Sequence, residues 1–407
     1  MDAGVTPKMW NVAANLRGFY DDNYAVAHNK TGSFGFELTP SVSANVDLKQ
    51  TDIGVRYTFG MYFYLQRSQN GLDPWDYTHQ GDIWVDHAFN ERFKMTVADT
   101  IAVGQDPALV QGGATVRVNG NNVANHASVT LNSDWTRQFS TVTRYGNTLV
   151  VYDNSNSGTN NLNGSNPNNA ALLNRMEQNV GTDFQWHFQP ETTGFIGYNF
   201  SWVNYTAGEQ IATPYNNAPA PVIPYYSNAR NYRAHYGYVG INETLSPSLS
   251  FSARVGASDT YLYNDPIAKE STLAPYADIN VTYTYMPGCY VQAGYTQDQN
   301  ATDVVQPGAN GQLTQYQQSS TFYASLNHQI TPKLSGSLVS QYQYSTCKYG
   351  AYAGTGDNTV NAGLHLNYTI NRNFSANAGY DFSELFSSIN GRGNSRNLVY
   401  LGLGANY

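Results

Sequence analysis

The sequence predicts an all-β chain, a closed antiparallel transmembrane β-barrel of about 18 strands with short turns at one end and long loops at the other. Three observations predict it. A strand–turn–strand phrase recurs along the 407 residues, apolar and polar residues alternate in the same phase each time, and long polar segments separate successive units.

Composition sets the boundaries. Charged residues are only 12% of the chain and apolar residues 41%, with a mean hydropathy of −0.46. Tyrosine (33) and glycine (36) are abundant. Low charge with a polar average suits a sheet that is apolar on one face and polar on the other. There is no run of about 20 apolar residues, which excludes a transmembrane helix, and segments rich in Leu, Glu, Lys and Ala that would favour helices are missing. The strict period of two excludes disorder, the alternative for so much Asn, Ser and Gly. Met1-Asp2-Ala3-Gly4 has neither a basic region nor an apolar core, so Met1 reads as a start in place of a removed secretory signal.

The phrase is clearest in "LNHQITPKLSGSL" (326–338), "INETLSPSLSFSA" (241–253) and "LNYTINRNFSANA" (366–378). It returns from Val85, Leu131, Phe184 and Val281, and an irregular eighth copy lies around Leu48–Thr51. In each unit the first apolar residue and those four and eight positions later share one face, as with Leu326, Ile330 and Leu334. The residue after the first is polar in each of the seven regular copies: Asp86, Asn132, Gln185, Asn242, Thr282, Asn327 and Asn367.

The cleanest strand puts Ile53, Val55, Tyr57, Phe59, Met61, Phe63 and Leu65 on one face and Gly54, Arg56, Thr58, Gly60, Tyr62 and Tyr64 on the other. Strands of a soluble sandwich run about 5–6 residues, whereas a strand of roughly 9–11 residues tilted near 45° crosses a bilayer. Long polar segments are expected at 21–32, 66–76, 105–127, 153–174, 206–229, 259–271, 299–317, 346–358 and 386–396. Eight short-turn hairpins give sixteen strands. One more before the first (about 10–20) and one after the last (397–407) make eighteen, in one domain over 1–407 with both termini at the short-turn, periplasmic end. The parity places Val55, Phe59, Leu364 and Leu401 towards lipid. It also sends Asp99 there, so a β-bulge between Val97 and Ile101 is expected to return that carboxylate inward.

The last residues alternate Val399, Leu401, Leu403, Ala405 and Tyr407. This resembles the C-terminal strand of bacterial outer-membrane proteins that the barrel assembly machinery recognises. The hairpin phrase resembles the β-barrel porin families, including barrels encoded with exopolysaccharide operons. The resemblance implies location in the outer membrane, with lipid and lipopolysaccharide around the wall.

Catalytic chemistry is not expected. His87 and His328 fall on the lipid face near short turns with no serine at a telling spacing. His79, Asp82, Asp86 and His87 cluster in sequence, but the histidines and the acids alternate onto opposite faces, which disfavours a shared metal. "DNSNSG" (153–158) echoes a calcium loop but has Gly164 where a bidentate Glu belongs. Cys289 and Cys347 build no disulfide framework. They are expected at opposite rims, separated by a membrane span of roughly 25 Å, beyond the roughly 7 Å limit between bonded Cα atoms.

No cofactor or nucleic acid is implied. The polar face carries Glu37, Asp82, Asp86, Asp134, Glu177, Asp183, Asp278 and Asp381 against Arg17, Arg56, Arg144 and Arg254. These are the candidate pore-lining residues, and their excess of acids points to weak cation preference. Small inward residues such as Ser250, Ser252, Gly256, Ser335, Ser337, Gly363 and Gly379 leave room for water. The expected function is a passive channel for small hydrophilic solutes or sugars. The alternative is a surface structural or binding barrel serving polysaccharide export, with no open pore. The third long segment, 105–127, carries short apolar runs around Asn119-Gly120, a tight-turn signal. It is expected to fold into the mouth and bring Arg117 towards Asp82 and Asp86.

Overall fold

The computed structural model describes residues 9–104, 122–153, 169–212, 224–267, 271–302 and 304–407. The strands are β1 (Trp10–Asp21), β2 (Ser33–Asp47), β3 (Thr51–Tyr64), β4 (Trp75–Ala88), β5 (Phe93–Gly104), β6 (Asn122–Asp134), β7 (Phe139–Tyr152), β8 (Arg175–His187), β9 (Thr192–Tyr205), β10 (Gln210–Ala212), β11 (Tyr225–Tyr226), β12 (Tyr232–Ser246), β13 (Leu249–Leu262), β14 (Ser271–Met286), β15 (Cys289–Ala301), β16 (Tyr316–Thr331), β17 (Leu334–Lys348), β18 (Gly356–Thr369), β19 (Phe374–Ser387) and β20 (Asn394–Asn406). β10 and β11 pair within a loop, and the other eighteen form one sheet. Every neighbour in it is antiparallel, and β1 pairs with β20 from Ala13–Asn406 to Asp21–Leu398, closing the barrel.

The short turns follow from local chemistry. Pro247 and Pro332 occupy the first central position of the turns that join β12 to β13 and β16 to β17. In Met286-Pro287-Gly288-Cys289, Gly288 takes φ +74, which a type II turn requires at its second central residue. Elsewhere a side chain closes the turn: Asn90 Oδ1 accepts from the Arg92 amide at 2.8 Å and Asn371 Oδ1 from the Asn373 amide at 2.9 Å.

Alternation sorts the two faces. Val55, Ile83, Val239, Val255, Leu364 and Leu401 are exposed on the outside. Aromatic rings edge this belt: Trp10 with Tyr407, Phe93 with Trp135 and Phe139 with Trp186 at the short-turn end, and Phe36 with Phe63 and Trp75 at the other. No helix among the described residues is long and apolar enough to cross a membrane.

Two expectations are corrected. Several strands run beyond the expected loop boundaries: β6 begins at Asn122 rather than after 127, and β13 continues to Leu262 rather than ending before 259. Ladder pairing carries them into polar sequence where hydrophobicity no longer marks a strand. The bulge at Asp99 is absent. β5 keeps unbroken register with both neighbours, and Asp99 stands opposite Ile83 and Ala127 on the outer face. A bulge would have interrupted a continuous ladder, and Asn125 instead donates to the carboxylate at 2.6 Å.

Cys289 and Cys347 are free and buried, the first at a short turn and the second at the far end of β17. Phe59→Arg or Leu401→Arg is expected to weaken folding into lipid by about 2–4 kcal/mol if near the midplane. Arg56→Ala, on the opposite face, is expected to change it by less than about 1 kcal/mol. Urea titrations in vesicles check both.

Candidate functional site: the lumen and its loop plate

The inner wall is built from residues that alternate with the outer belt. Among the described residues six inner aromatic rings lie over the glycine directly across the ladder: Phe19 over Gly35, Trp84 over Gly54, Tyr238 over Gly197, Phe195 over Gly240, Tyr323 over Gly294 and Tyr400 over Gly379. A Cβ at Gly54 would meet the Trp84 ring at 1.9 Å, and one at Gly379 the Tyr400 ring at 2.4 Å. The missing side chain lets each ring lie against the wall rather than project across the lumen.

All four expected inner arginines have carboxylate partners. Arg17 lies 3.8 Å from Glu37, Arg56 2.9 Å from Asp82, Arg144 2.7 Å from Asp183 and Arg254 3.9 Å from Asp278. Tyr238 donates to the other Asp183 oxygen at 2.6 Å, its ring held in place over Gly197. Arg17 also donates to Asn377 at 3.2 Å and covers the Tyr400 ring at 4.4 Å. Asp381 meets His365 at 2.8 Å, and Asp86 accepts from Thr96 at 2.5 Å. Glu177 pairs with Arg175 at 2.5 Å, and Asp134 is exposed at the short-turn end of β6.

The parity count overlooked several inner residues, among them Arg175, His365, Lys94, Asp47 and Asp52. Asp47 stands directly opposite Asp52, and Asp52 opposite Asp86, giving a row of three carboxylates near the short-turn end. Like charges directly opposed repel, and no arginine stands opposite any of the three. The outward His79 bonds to Tyr57, His87 to Thr51 and His328 to Tyr285. Among the described residues no three His, Cys, Asp or Glu side chains converge as a metal site.

The long-loop end carries its own hydrophobic core. The short helix α1 (Asn169–Leu173) supplies Ala170, Ala171, Leu172 and Leu173, the β10–β11 segment supplies Ile211, Ala212 and Tyr225, and Leu313 comes from the connection before β16. They pack on Val150 and Tyr152 of the inner face of β7. Arg230, only 1% exposed, ties three loops together. It donates to the Leu172 carbonyl at 2.6 Å and to the Thr302 carbonyl, with its guanidinium 4.5 Å over the Tyr205 ring.

Tyr225 donates to the Gly311 carbonyl, and Thr314 donates to the Tyr349 carbonyl at 3.1 Å. Val203, Ala234, Leu262, Gln317 and Ser345, inward at the upper ends of their strands, are buried. Opposite, Arg396 pairs with the buried Asp21, and Asn23 donates to the Ser395 carbonyl at 2.9 Å. Burial opposes the Asp22 charge, but hydrogen bonds from Lys30 and Asn397 outweigh it and hold this carboxyl below its ordinary range.

Of the third long segment, 105–121 lies outside the described residues, Arg117 included, as do Asn154–Gly158 of the calcium-like stretch. The loop core described here comes from other connections. Its sequence signal is weak: an apolar Ala-Ala-Leu-Leu run at 170–173, Ile211-Ala212 and the isolated Tyr225 and Leu313.

Below the plate the inner wall of β16–β20 and β1–β3 bounds open space. One cavity of about 520 Å³ is lined by Arg17, Asn327, Ser337, His365, Asn377, Asp381 and Tyr400. A second, of about 500 Å³, is lined by Tyr323, Gln341, Asn361, Asp381 and Arg396. A third, of about 450 Å³, is lined by Asn15, Thr39, Ser41, Thr58, Ser375 and Asn406.

A closed antiparallel sheet with an apolar exterior and a polar interior is the architecture of an outer-membrane barrel. The family model described as "Putative beta-barrel porin 2" matches residues 9–407. The chain belongs to this family. It is a porin-type barrel of the bacterial outer membrane. Solved structures with similar folds include OccK1 (OpdK) of Pseudomonas aeruginosa (10% identity, 98% of this chain and 99% of that one, TM-score 0.49). OccAB4 of Acinetobacter baumannii is also similar (12% identity, 98% and 99%, TM-score 0.45). So is OccK2 (OpdF) of Pseudomonas aeruginosa, solved in complex with glucuronate (8% identity, 98% and 98%, TM-score 0.49). No curated protein matches the sequence.

Two outcomes follow for this porin's interior. Arg230→Ala leaves the Leu172 and Thr302 carbonyls without their donor, at about 1–3 kcal/mol each. Limited proteolysis is expected to cut the upper loops faster while the barrel keeps its heat-resistant mobility. Burial, with Asp265 nearby, pushes the Tyr225 hydroxyl from 10.0 up to about 12. The stabilisation this neutral hydroxyl gives the plate is therefore fully present below pH 10 and is lost as pH rises towards 12, because Tyr225 ionises first in the opened loops. Proteolysis against pH should show this, and Tyr225→Phe should remove its contribution.

Proposed function

We propose that this porin is a passive channel for small hydrophilic solutes, with weak preference for cations. The observation that carries the reading is the inner wall itself, where each of the six rings lies flat over a glycine and the charges are held along the wall in pairs. Eighteen strands already enclose an aqueous channel. The proposed lining residues are Arg17, Glu37, Arg56, Asp82, Asp86, Asp134, Arg144, Glu177, Asp183, Arg254, Asp278 and Asp381. Pairing cancels the arginines, so the surplus among these lining groups rests on the Asp47–Asp52–Asp86 row with Asp134 and Asp381, against Lys94.

In this reading the short turns and both termini face the periplasm, and the loop plate covers part of the extracellular mouth. The strand ending at Tyr407 engages the barrel assembly machinery, and the outer belt sits in lipid and lipopolysaccharide.

The interlocked loop core supports a second reading, a barrel with a closed lumen whose loops bind or organise surface polysaccharide. Planar-bilayer recording in a salt gradient separates the two. The channel reading predicts stepwise openings and a reversal potential of the cation-selective sign, which moves towards zero in Asp52→Asn/Asp86→Asn. A folded barrel that inserts without conductance supports the closed reading.

A further inference from the structure

The outer wall departs from an apolar surface over β5–β8. In one row across the sheet Ile83 stands opposite Asp99, Asp99 opposite Ala127, Ala127 opposite Asn147 and Asn147 opposite Gln178. The exposed neighbours Ile83, Ile101, Tyr145 and Val180 put this row outside.

Asp99 is six residues above Phe93, whose ring meets Trp135 at 5.6 Å in the lower aromatic girdle. At about 3.3 Å per residue and a tilt near 40°, that is on the order of 15 Å, near the middle of an apolar band roughly 25 Å tall. Asn125 donates to Asp99 at 2.6 Å, and no cation approaches it among the described residues. Among those residues the side-chain amides of Asn147 and Gln178 make no hydrogen bond. Lower on the same face the Thr143 and Thr182 hydroxyls pair at 3.1 Å. The far wall has no such row: Ile241, Ala253, Ile279, Tyr295, Phe322 and Tyr342 follow one another across β12–β17.

Unpaired amides and a carboxylate facing hydrocarbon are unfavourable. We propose that β5–β8 is an interface between two copies of this chain, related by a two-fold axis along the membrane normal. A carboxamide both donates and accepts, so Asn147 and Gln178 form a surface complementary to itself. Two copies share depth and orientation in the membrane, so these residues meet at one height, as a two-fold contact requires. Ala127 directly across, and Gly81 on the diagonal, leave little bulk on two sides of Asp99, with Ile83 on the third, so amides of the second copy can reach the carboxylate from the β6 side.

The test uses the protein extracted from outer membranes into mild detergent and nanodiscs. Native mass spectrometry is expected to give twice the 44.9 kDa chain mass. With Cys289 and Cys347 replaced by alanine, Asn147→Cys is expected to form a disulfide-linked dimer on oxidation, whereas Leu364→Cys on the far wall is not. Asp99→Leu/Asn147→Leu/Gln178→Leu is expected to yield a folded, conducting monomer. A single-chain mass at every protein-to-lipid ratio would overturn the proposal. So would Asn147→Cys linking no better than Leu364→Cys, or a dimer that survives in the folded triple variant. If the triple variant does not fold, the cysteine pair decides.

Discussion

Every other feature of this molecule depends on backbone hydrogen bonding in a solvent that offers none. A strand edge left open in lipid would expose a row of unpaired amides and carbonyls, each costing roughly 2–7 kcal/mol when moved from water into hydrocarbon. The sheet must therefore close, and it does so where β1 meets β20. The seam ends on reciprocal bonds between Val12 and Tyr407, at 3.2 and 2.8 Å, with Trp10 and Tyr407 in contact outside them. Closure then dictates the rest, since every residue faces either lipid or lumen.

The interior resolves a conflict that closure creates. A wall rich in tyrosine could fill its own lumen. Glycines directly across the ladder receive the rings, and arginine–carboxylate pairs hold the long side chains along the surface. Tyr238 combines both devices, lying over Gly197 while its hydroxyl meets Asp183, which Arg144 also holds. The loops supply what the wall does not, a packed core at the mouth. Arg230 is its tie, because one guanidinium satisfies carbonyls from two connections and rests on a ring of β9.

The sequence made the barrel legible because alternation and turn chemistry are local. The phase of Leu326, Ile330 and Leu334, or of Val55 and Phe59, needs no tertiary knowledge, and neither does a Pro or Asn that closes a turn. Strand ends such as Asn122–His126 were not legible, since ladder pairing rather than hydrophobicity extends them. Asp99 was misread for a related reason: expecting every lipid-facing charge to be rescued by a bulge ignores a neighbour such as Asn125, whose position depends on register. The glycine–ring pairs, the meeting of Asp52 with Asp86 and the core joining Leu172, Ile211, Tyr225 and Leu313 all unite residues distant in sequence. Only the folded register brings them together.

The proposed channel requires that water line the inner face from one end of the barrel to the other. Single cysteines along β19, in a chain with Cys289 and Cys347 replaced by alanine, test it most directly with a charged, membrane-impermeant thiol reagent applied from either side of a vesicle. The account predicts that Ser375→Cys, Asn377→Cys and Ser383→Cys react from both sides, while Ala376→Cys, Ala378→Cys and Phe382→Cys, which face lipid, do not. Inner positions that react from one side only would contradict a continuous aqueous lumen, and reaction at the lipid-facing positions would contradict the barrel's division into two faces.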